Sequence, residues 1–267
     1  MNDRIPGPGT WFLYGVTTLM MLYILAPLLL VVAVSTSDSY FVSFPPTGFT
    51  LQWYAKALGD QEFLSGLLLS VLLALGSTAL SLGLGIPASF ALARGTFPGQ
   101  SLLRGLVLSP LIFPALVTGL SLLQLFSAWR SQDARLNLLI AHAVVTSPYV
   151  VRTVTTSLLL VNPSLEEAAR TLGASRLRTF WRVILPQIAP GVAAGSIFAF
   201  MISFDNYPVS MWLADSEHSP VPIVIYRQIS TVFDPSVAAM STLVIILTLA
   251  AVLILERLVG LRRAMAL

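Results

Sequence analysis

The chain has no cysteine, one lysine and few charged residues of either sign. Without cysteine there is no disulfide, no thiolate metal ligand and no cysteine nucleophile. The lone lysine, Lys56, follows Ala55, so no G-x-x-x-x-G-K-S/T phosphate loop exists here. ATP-driven work would need an engine on another chain. Charged residues make up only 10% of the 267, against about 25% in soluble domains. With 56% hydrophobic residues and a mean hydropathy of +0.83, the apolar surface exceeds what a soluble core can hide. The bilayer must act as solvent. The formal charge of +3 is too small to argue for nucleic acid. His142 stands alone in an apolar run and His218 in a polar one, so neither supports a metal site. No low-complexity tract and no internal repeat is visible.

What is present is a set of six apolar runs: Trp11–Val34, Phe63–Ala93, Leu102–Ser127, Leu136–Leu160, Gln187–Leu213 and Val237–Val259. Each has the roughly 20 residues that a helix needs to cross about 30 Å of hydrocarbon. The pattern predicts one all-α integral membrane domain over residues 1–267, with six transmembrane helices. The first run follows Arg4, but it is too long for a secretory h-region and no clear cleavage site follows, so it reads as an uncleaved span. With the N-terminus inside, the fifteen basic residues split eleven to four. Arg4, Arg94, Arg104, Arg152, Arg170, Arg176, Arg178, Arg182, Arg257, Arg262 and Arg263 fall on one side, and Lys56, Arg130, Arg135 and Arg227 on the other. The positive-inside rule then places both termini and the loop 161–186 in the cytoplasm.

Two external segments are long enough to be more than turns. Ser35–Glu62 carries an amphipathic pattern at Trp53, Tyr54, Ala57 and Leu58, which predicts a short interfacial helix. Ala214–Ser236 reads as a polar, proline-containing loop. Gly83, Gly85 and Pro87 punctuate the second span, Pro110 and Pro114 the third, Pro148 the fourth and Pro208 the fifth. Such kinks fit ordinary bundle packing and a pathway equally well.

The polar island between the fourth and fifth runs is the most specific feature. Asn162-Pro163 ends the fourth run, and Ser164 with Glu167 has the spacing of an N-cap and its capping box. Gly173 fits the left-handed position after a helix. A second short helix is expected from Ser175 to Pro186, with Leu177, Phe180, Trp181 and Ile184 on one face. Read from composition alone, this is an amphipathic loop at the membrane edge.

The spacing of Glu167-Ala168-Ala169, Gly173 and Leu185-Pro186 resembles the EAA loop of type I ABC-importer permeases. Phe180 and Val183 also match, and the segments Ser35–Tyr54, ending in Phe49-Thr50-Leu51-Gln52-Trp53-Tyr54, and Phe204–Ala239 resemble the spermidine/putrescine-type branch. Related branches carry ferric iron, opines, phosphonates and other small solutes. The resemblance implies the type I permease fold, in which the loop is a coupling helix docked into a cytoplasmic ABC ATPase dimer. It implies a multi-pass protein of the bacterial inner membrane, paired with a second homologous permease and served by a soluble substrate-binding protein. ATP and magnesium would sit on the ATPase, with no cofactor or metal in this chain and no catalytic residue. Glu166, Glu167, Ala168, Ala169, Arg170, Gly173, Leu185 and Pro186 become the coupling residues, Glu167 meeting a basic group of the ATPase and Gly173 making the turn.

For substrate, Asp205-Asn206-Tyr207 before Pro208 is the outstanding polar cluster in the fifth span. An ionisable residue at membrane depth is a functional-site hypothesis. Adjacent Asp and Tyr suit an amine cation such as a polyamine, through charge pairing and cation–π contact. The alternative is a hydrated Asp205 at the interface, or one paired with Arg227. Ser203 and Tyr149 are further pathway candidates, and Thr146 and Ser147 offer hydroxyls nearby. Two other classes use the same residues differently. An ion-coupled secondary transporter would use Asp205 as a relay but would usually carry inverted repeats. An intramembrane hydrolase would need Ser196 and His142 together, without any flanking motif.

Overall fold

A computed structural model describes residues 8–40, 45–231 and 234–259. Arg4, Asp3, Arg262 and Arg263, which contribute to the charge bias, lie outside the described residues. The described residues hold helices and no strands: α1 Pro8–Ser35, α2 Gln52–Gly59, α3 Gln61–Arg94, α4 Gln100–Leu108 and α5 Ala115–Ala128 come first. They continue with α6 Ala134–Leu160, α7 Pro163–Thr171, α8 Arg176–Thr179, α9 Leu185–Phe204, α10 Tyr207–Leu213, α11 Val221–Thr231 and α12 Ser236–Val259. Among the described residues, five helical rods are long and apolar enough to cross a membrane, or six if one bent pair counts as a span.

That bent pair corrects the expected third span. Instead of one rod over 102–127, α4 and a 3-10 turn at Ser109–Leu111 meet α5 at 108°. Pro110 and Pro114 explain the bend, since each lacks a ladder donor, and Pro114 adopts an extended conformation (ψ 132°). The fifth span is corrected in the opposite sense. α8 runs through a π turn at Phe180–Ile184 into α9 as one rod, Arg176–Phe204. Pro186, expected to end the loop helix, therefore lies within that rod. The wider π turn just before it takes up the ladder defect that proline creates. Leu177 and Trp181, expected on one face with Phe180 and Ile184, are 69% and 59% exposed, while Phe180 and Ile184 turn inward.

The chain divides into two compact units. The first comprises residues 1–61 and 227–246. In it Trp53 Nε1 donates to the Ser37 carbonyl (2.7 Å), Tyr54 shares a 2.6 Å hydrogen bond with Ser35, and Lys56 pairs with Asp234 at 2.5 Å. α2 thus follows the amphipathic expectation, with Trp53 and Ala57 buried and Leu58 exposed. The segment 214–236, expected as loop, contains α11. Its cue was Val221 and Val224 at helical spacing beside Pro220 and Pro222.

The second unit comprises residues 62–226 and 247–267. Its centre is α6, held between α3 and α9 by small residues. On α3, Ser81 bonds Thr146 (2.8 Å), Gly85 faces Val150, and Ser89 donates to the Val151 carbonyl (3.2 Å). On α9, a Cβ at Gly191 would come within 2.7 Å of the Thr153 carbonyl, and one at Gly195 within 3.1 Å of the Val150 Cα. Such residues let backbones approach in a bilayer, where lipid supplies no hydrophobic drive between helices. One apolar cluster joins Val150, Val154 and Leu158 to Ile184, Ile188 and Ala199, and a second joins Leu73, Leu138 and Val145 to Phe126, Val209 and Leu213.

Candidate coupling loop and translocation site

The loop helix begins two residues earlier than its sequence pattern implies. Asn162, not Ser164, is the N-cap of α7, its side chain accepting from the Ser164 amide at 3.0 Å, with Pro163 in the first turn. Both are favoured at these positions, asparagine for its acceptor and proline because its missing N–H lies where no ladder bond is due. The shift carries Glu167 beyond the third helical position, so the expected capping box does not form. Glu166 instead pairs with Arg170 at 2.9 Å, a surface i,i+4 pair. Glu167 is exposed and enters no ion pair among the described residues.

Gly173 closes the helix as its position implied. Its φ is +81°, its amide donates to the Arg170 carbonyl (2.9 Å), and the Ala174 amide donates to the Ala169 carbonyl (3.0 Å). These paired bonds satisfy carbonyls that a helix end would otherwise orphan. A Cβ at Gly173 would meet nothing within 4 Å, so the constraint is the backbone angle rather than space. Ser175 then caps α8 by accepting from the Arg178 amide (3.3 Å). Along α7, Leu165, Ala168 and Leu172 project outward at helical spacing, with Leu172 88% exposed. Beside the unpaired Glu167 this makes a small apolar stripe with one charge.

The loop is held rigidly from behind. Arg94, at the end of α3, donates to the Val161 and Leu158 carbonyls at 3.1 and 3.4 Å. A cation there complements the C-terminal end of α6. Phe90 meets Phe180 edge-on with centroids 5.7 Å apart. Leu185 lies at the end of the π turn, its amide donating back to the Phe180 carbonyl, and Gln187 donates to the Val183 carbonyl at 2.7 Å. Sequence reasoning treated Arg94 as a topology marker and missed this clamp.

At the far end of α9 the rod stops at Phe204. Asp205 leaves the helix (φ −102°, ψ 23°) and Asn206 caps α10 by accepting from the Val209 amide at 3.1 Å. The structure brings four of the sequence candidates to this break. Asp205 is exposed and in no ion pair among the described residues, and Asn206 is buried. Tyr207 is half-buried with its ring centroid 4.9 Å from that of Tyr226. Ser203 is 2% exposed and lies 2.9 Å from Ser77 and 2.8 Å from His142. Tyr149 is not part of the group. It stacks obliquely near Phe198, seven residues before Asp205 and so about 10 Å lower along the rod. The surroundings of His142 were missed. Their only cue was the pair His142 and Thr146 matching the spacing of Ser77 and Ser81.

Residues 81–263 match the family described as "Binding-protein-dependent transport system inner membrane component". The chain belongs to this family. It is 29% identical over 230 residues to the "Putrescine transport system permease protein PotI" of Escherichia coli (strain K12), covering 84% of this chain and 82% of that one. It is 29% identical over 239 residues to the "Spermidine/putrescine transport system permease protein PotC" of the same organism, covering 90% of each. Its fold matches a chain of a bacterial ABC transporter involved in the import of the acidic polysaccharide alginate, at TM-score 0.70 and 17% identity, covering 97% and 99%. The chain is therefore a permease subunit of an ABC importer, a multi-pass component of the inner membrane with the type I permease fold. As a permease without a phosphate loop, it leaves ATP hydrolysis to a separate chain. The ion-coupled alternative gains no support.

Proposed function

We propose that this chain forms half of the translocation pathway of a polyamine importer and receives its drive through α7. Its partners are a cytoplasmic ABC ATPase dimer carrying ATP and magnesium, a second homologous permease, and a soluble periplasmic substrate-binding protein. Both termini and residues 161–186 lie in the cytoplasm, a reading supported by the eleven-to-four split of basic residues. The observation that carries the coupling role is the outward stripe of Leu165, Ala168 and Leu172 beside unpaired Glu167, on a helix closed at both ends by local caps. The small Ala168 and Ala169 permit close approach of a cleft, Glu167 supplies the charge, and Arg170 is occupied by Glu166. Gly173 sets the angle at which the chain returns to the membrane through Leu185 and Pro186.

Closure of the ATPase dimer would move α7. Because α6 and the rod Arg176–Phe204 leave the two ends of the loop and pack backbone to backbone, they transmit that motion as one body. The opposite end of the rod carries Asp205, Asn206, Tyr207 and Ser203, where an ammonium group meets a carboxylate and the Tyr207–Tyr226 ring pair. Tyr149 lines the same route lower down. The polyamine assignment rests on this chemistry together with the substrates named for the two permease relatives. The test is putrescine uptake by the reconstituted transporter, with ferric iron and phosphonate as competing solutes. Uptake of putrescine with neither competitor transported supports the assignment, and uptake of a competitor in its place removes it.

A further inference from the structure

The His142 imidazole is 1% exposed and both of its nitrogens are engaged. Nδ1 lies 2.8 Å from Ser203 Oγ and Nε2 lies 3.0 Å from Ser210 Oγ. Ser203 belongs to the last turn of α9 and Ser210 to α10, so the ring, carried by α6, reaches both sides of the break at Asp205–Asn206. Ser77 of α3 donates to Ser203 Oγ at 2.9 Å, the shorter of its two contacts, the other being the Ala74 carbonyl at 3.3 Å. Each hydroxyl has one hydrogen to give and a neutral imidazole has one. With Ser77 donating to Ser203, the Ser203 hydrogen goes to Nδ1, and the ring's own proton on Nε2 goes to Ser210. The chain of bonds runs one way, from α3 through α9 and α6 to α10.

The backbone at the break provides no substitute. Asp205 and Asn206 bond back to Met201 and Ser203, and α10 starts afresh on the Asn206 side chain. No continuous ladder crosses from α9 to α10, and an apolar contact would not fix a direction there as a satisfied polar network does. We propose that His142 is a positioning residue that staples the two halves of the broken fifth span and so sets where Asp205 and Tyr207 stand. The placing of Asp205 and Tyr207 for transport rests on the reading of Asp205 as a pathway residue. The staple does not.

The absence of native cysteine makes the test direct. Met201→Cys and Met211→Cys, at positions 39% and 41% exposed on α9 and α10, would carry spin labels in the assembled, lipid-reconstituted transporter. Electron–electron distance measurement should give one narrow distribution in the parent. His142→Leu should broaden or displace it, and His142→Gln, which keeps an N–H donor toward Ser210, should restore most of it. An unchanged distribution in His142→Leu overturns the staple. Should that variant not assemble, Ser210→Ala removes only the Nε2 partner, and an unchanged distribution there overturns it equally. In the same preparations, putrescine moved per ATP hydrolysed should fall about fivefold in His142→Leu, the scale of one buried hydrogen bond. It should fall no further when His142→Leu is added to Asp205→Asn. A changed distance with an unchanged ratio keeps the staple and removes Asp205 from the pathway, which separates the two readings.

Discussion

The two ends of the rod Arg176–Phe204 are built by different means. At its beginning, the loop 161–186 is assembled from local hydrogen bonds: the Asn162 and Ser175 caps, the Gly173 closure and the Glu166–Arg170 pair, all within six residues of their partners. At its far end, the Asp205 break is held by contacts from distant sequence, with Ser77 126 residues from Ser203 and His142 61 residues from it. The first end is exposed, and at the second the exposed Asp205 stands on a buried network of Ser77, His142, Ser203 and Ser210. An interface that must engage a partner can be written locally. A site within the bilayer must instead satisfy every polar group from neighbouring helices.

The sharpest way to break this comparison is at the local end. Gly173→Pro is incompatible with φ +81°, since proline fixes φ near −65°. That variant and Glu167→Lys should each reduce uptake to background while membrane insertion, read by protease accessibility, stays intact. Normal uptake by both would separate the loop from coupling. At the far end, Asp205→Asn should lower transport of putrescine by about tenfold, or ~1.4 kcal/mol, close to the low end of the scale for a hydrogen bond to a charged group. ATPase co-purification should be untouched, because the loop is not altered. Unchanged transport would make Asp205 an interfacial carboxylate only.

Between the ends, Gly191→Ala should push α9 off the Thr153 carbonyl and cost about 1–3 kcal/mol of stability, the usual scale of overpacking. A thermal midpoint in detergent equal to the parent's would show that the two helices are not locked. The smallest effect is expected outside the bilayer, at Asp234. Burial pushes its carboxyl up, but the Lys56 ammonium and bonds from Ser236 outweigh this and hold it below the ordinary carboxylate range. A depressed carboxyl adds stability above its unfolded value of about 3.9 and loses it as pH falls through the folded value. Asp234→Asn should therefore flatten the acid limb of a stability profile below about pH 4 and leave neutral behaviour nearly unchanged. An acid limb as steep as the parent's would assign the sensitivity elsewhere.

The same contrast governs how much the sequence disclosed. Gly173 was legible because a left-handed closure after a helix is a local demand that glycine meets best. The N-cap was misplaced by two residues because Ser164 and Glu167 carry a capping-box spacing that Asn162-Pro163 pre-empts. Pro186 looked like a stop, and only the π turn before it shows how the rod continues. Pro110 and Pro114 were visible as breakers, but whether they kink a span or fold it through 108° depends on what α5 packs against, where Gly119 lies close to Val209 and Trp212. His142 looked solitary because both of its partners are serines, whose hydroxyls give no periodic signal in an apolar run. Asp205 was legible as an outlier in composition, and its exposure at a helix break was not.

The central claim is that α7 is the surface through which an ATPase drives this chain. The direct measurement is to isolate the chain from its native membrane, with and without Glu167→Lys, and to assay bound partners and vanadate-sensitive ATP hydrolysis. An ABC ATPase and a second permease should come with the parent chain, and the ATPase should be lost with the variant. An ATPase retained at parental stoichiometry by Glu167→Lys, or a parent chain recovered alone yet accumulating substrate without ATP, would contradict the claim.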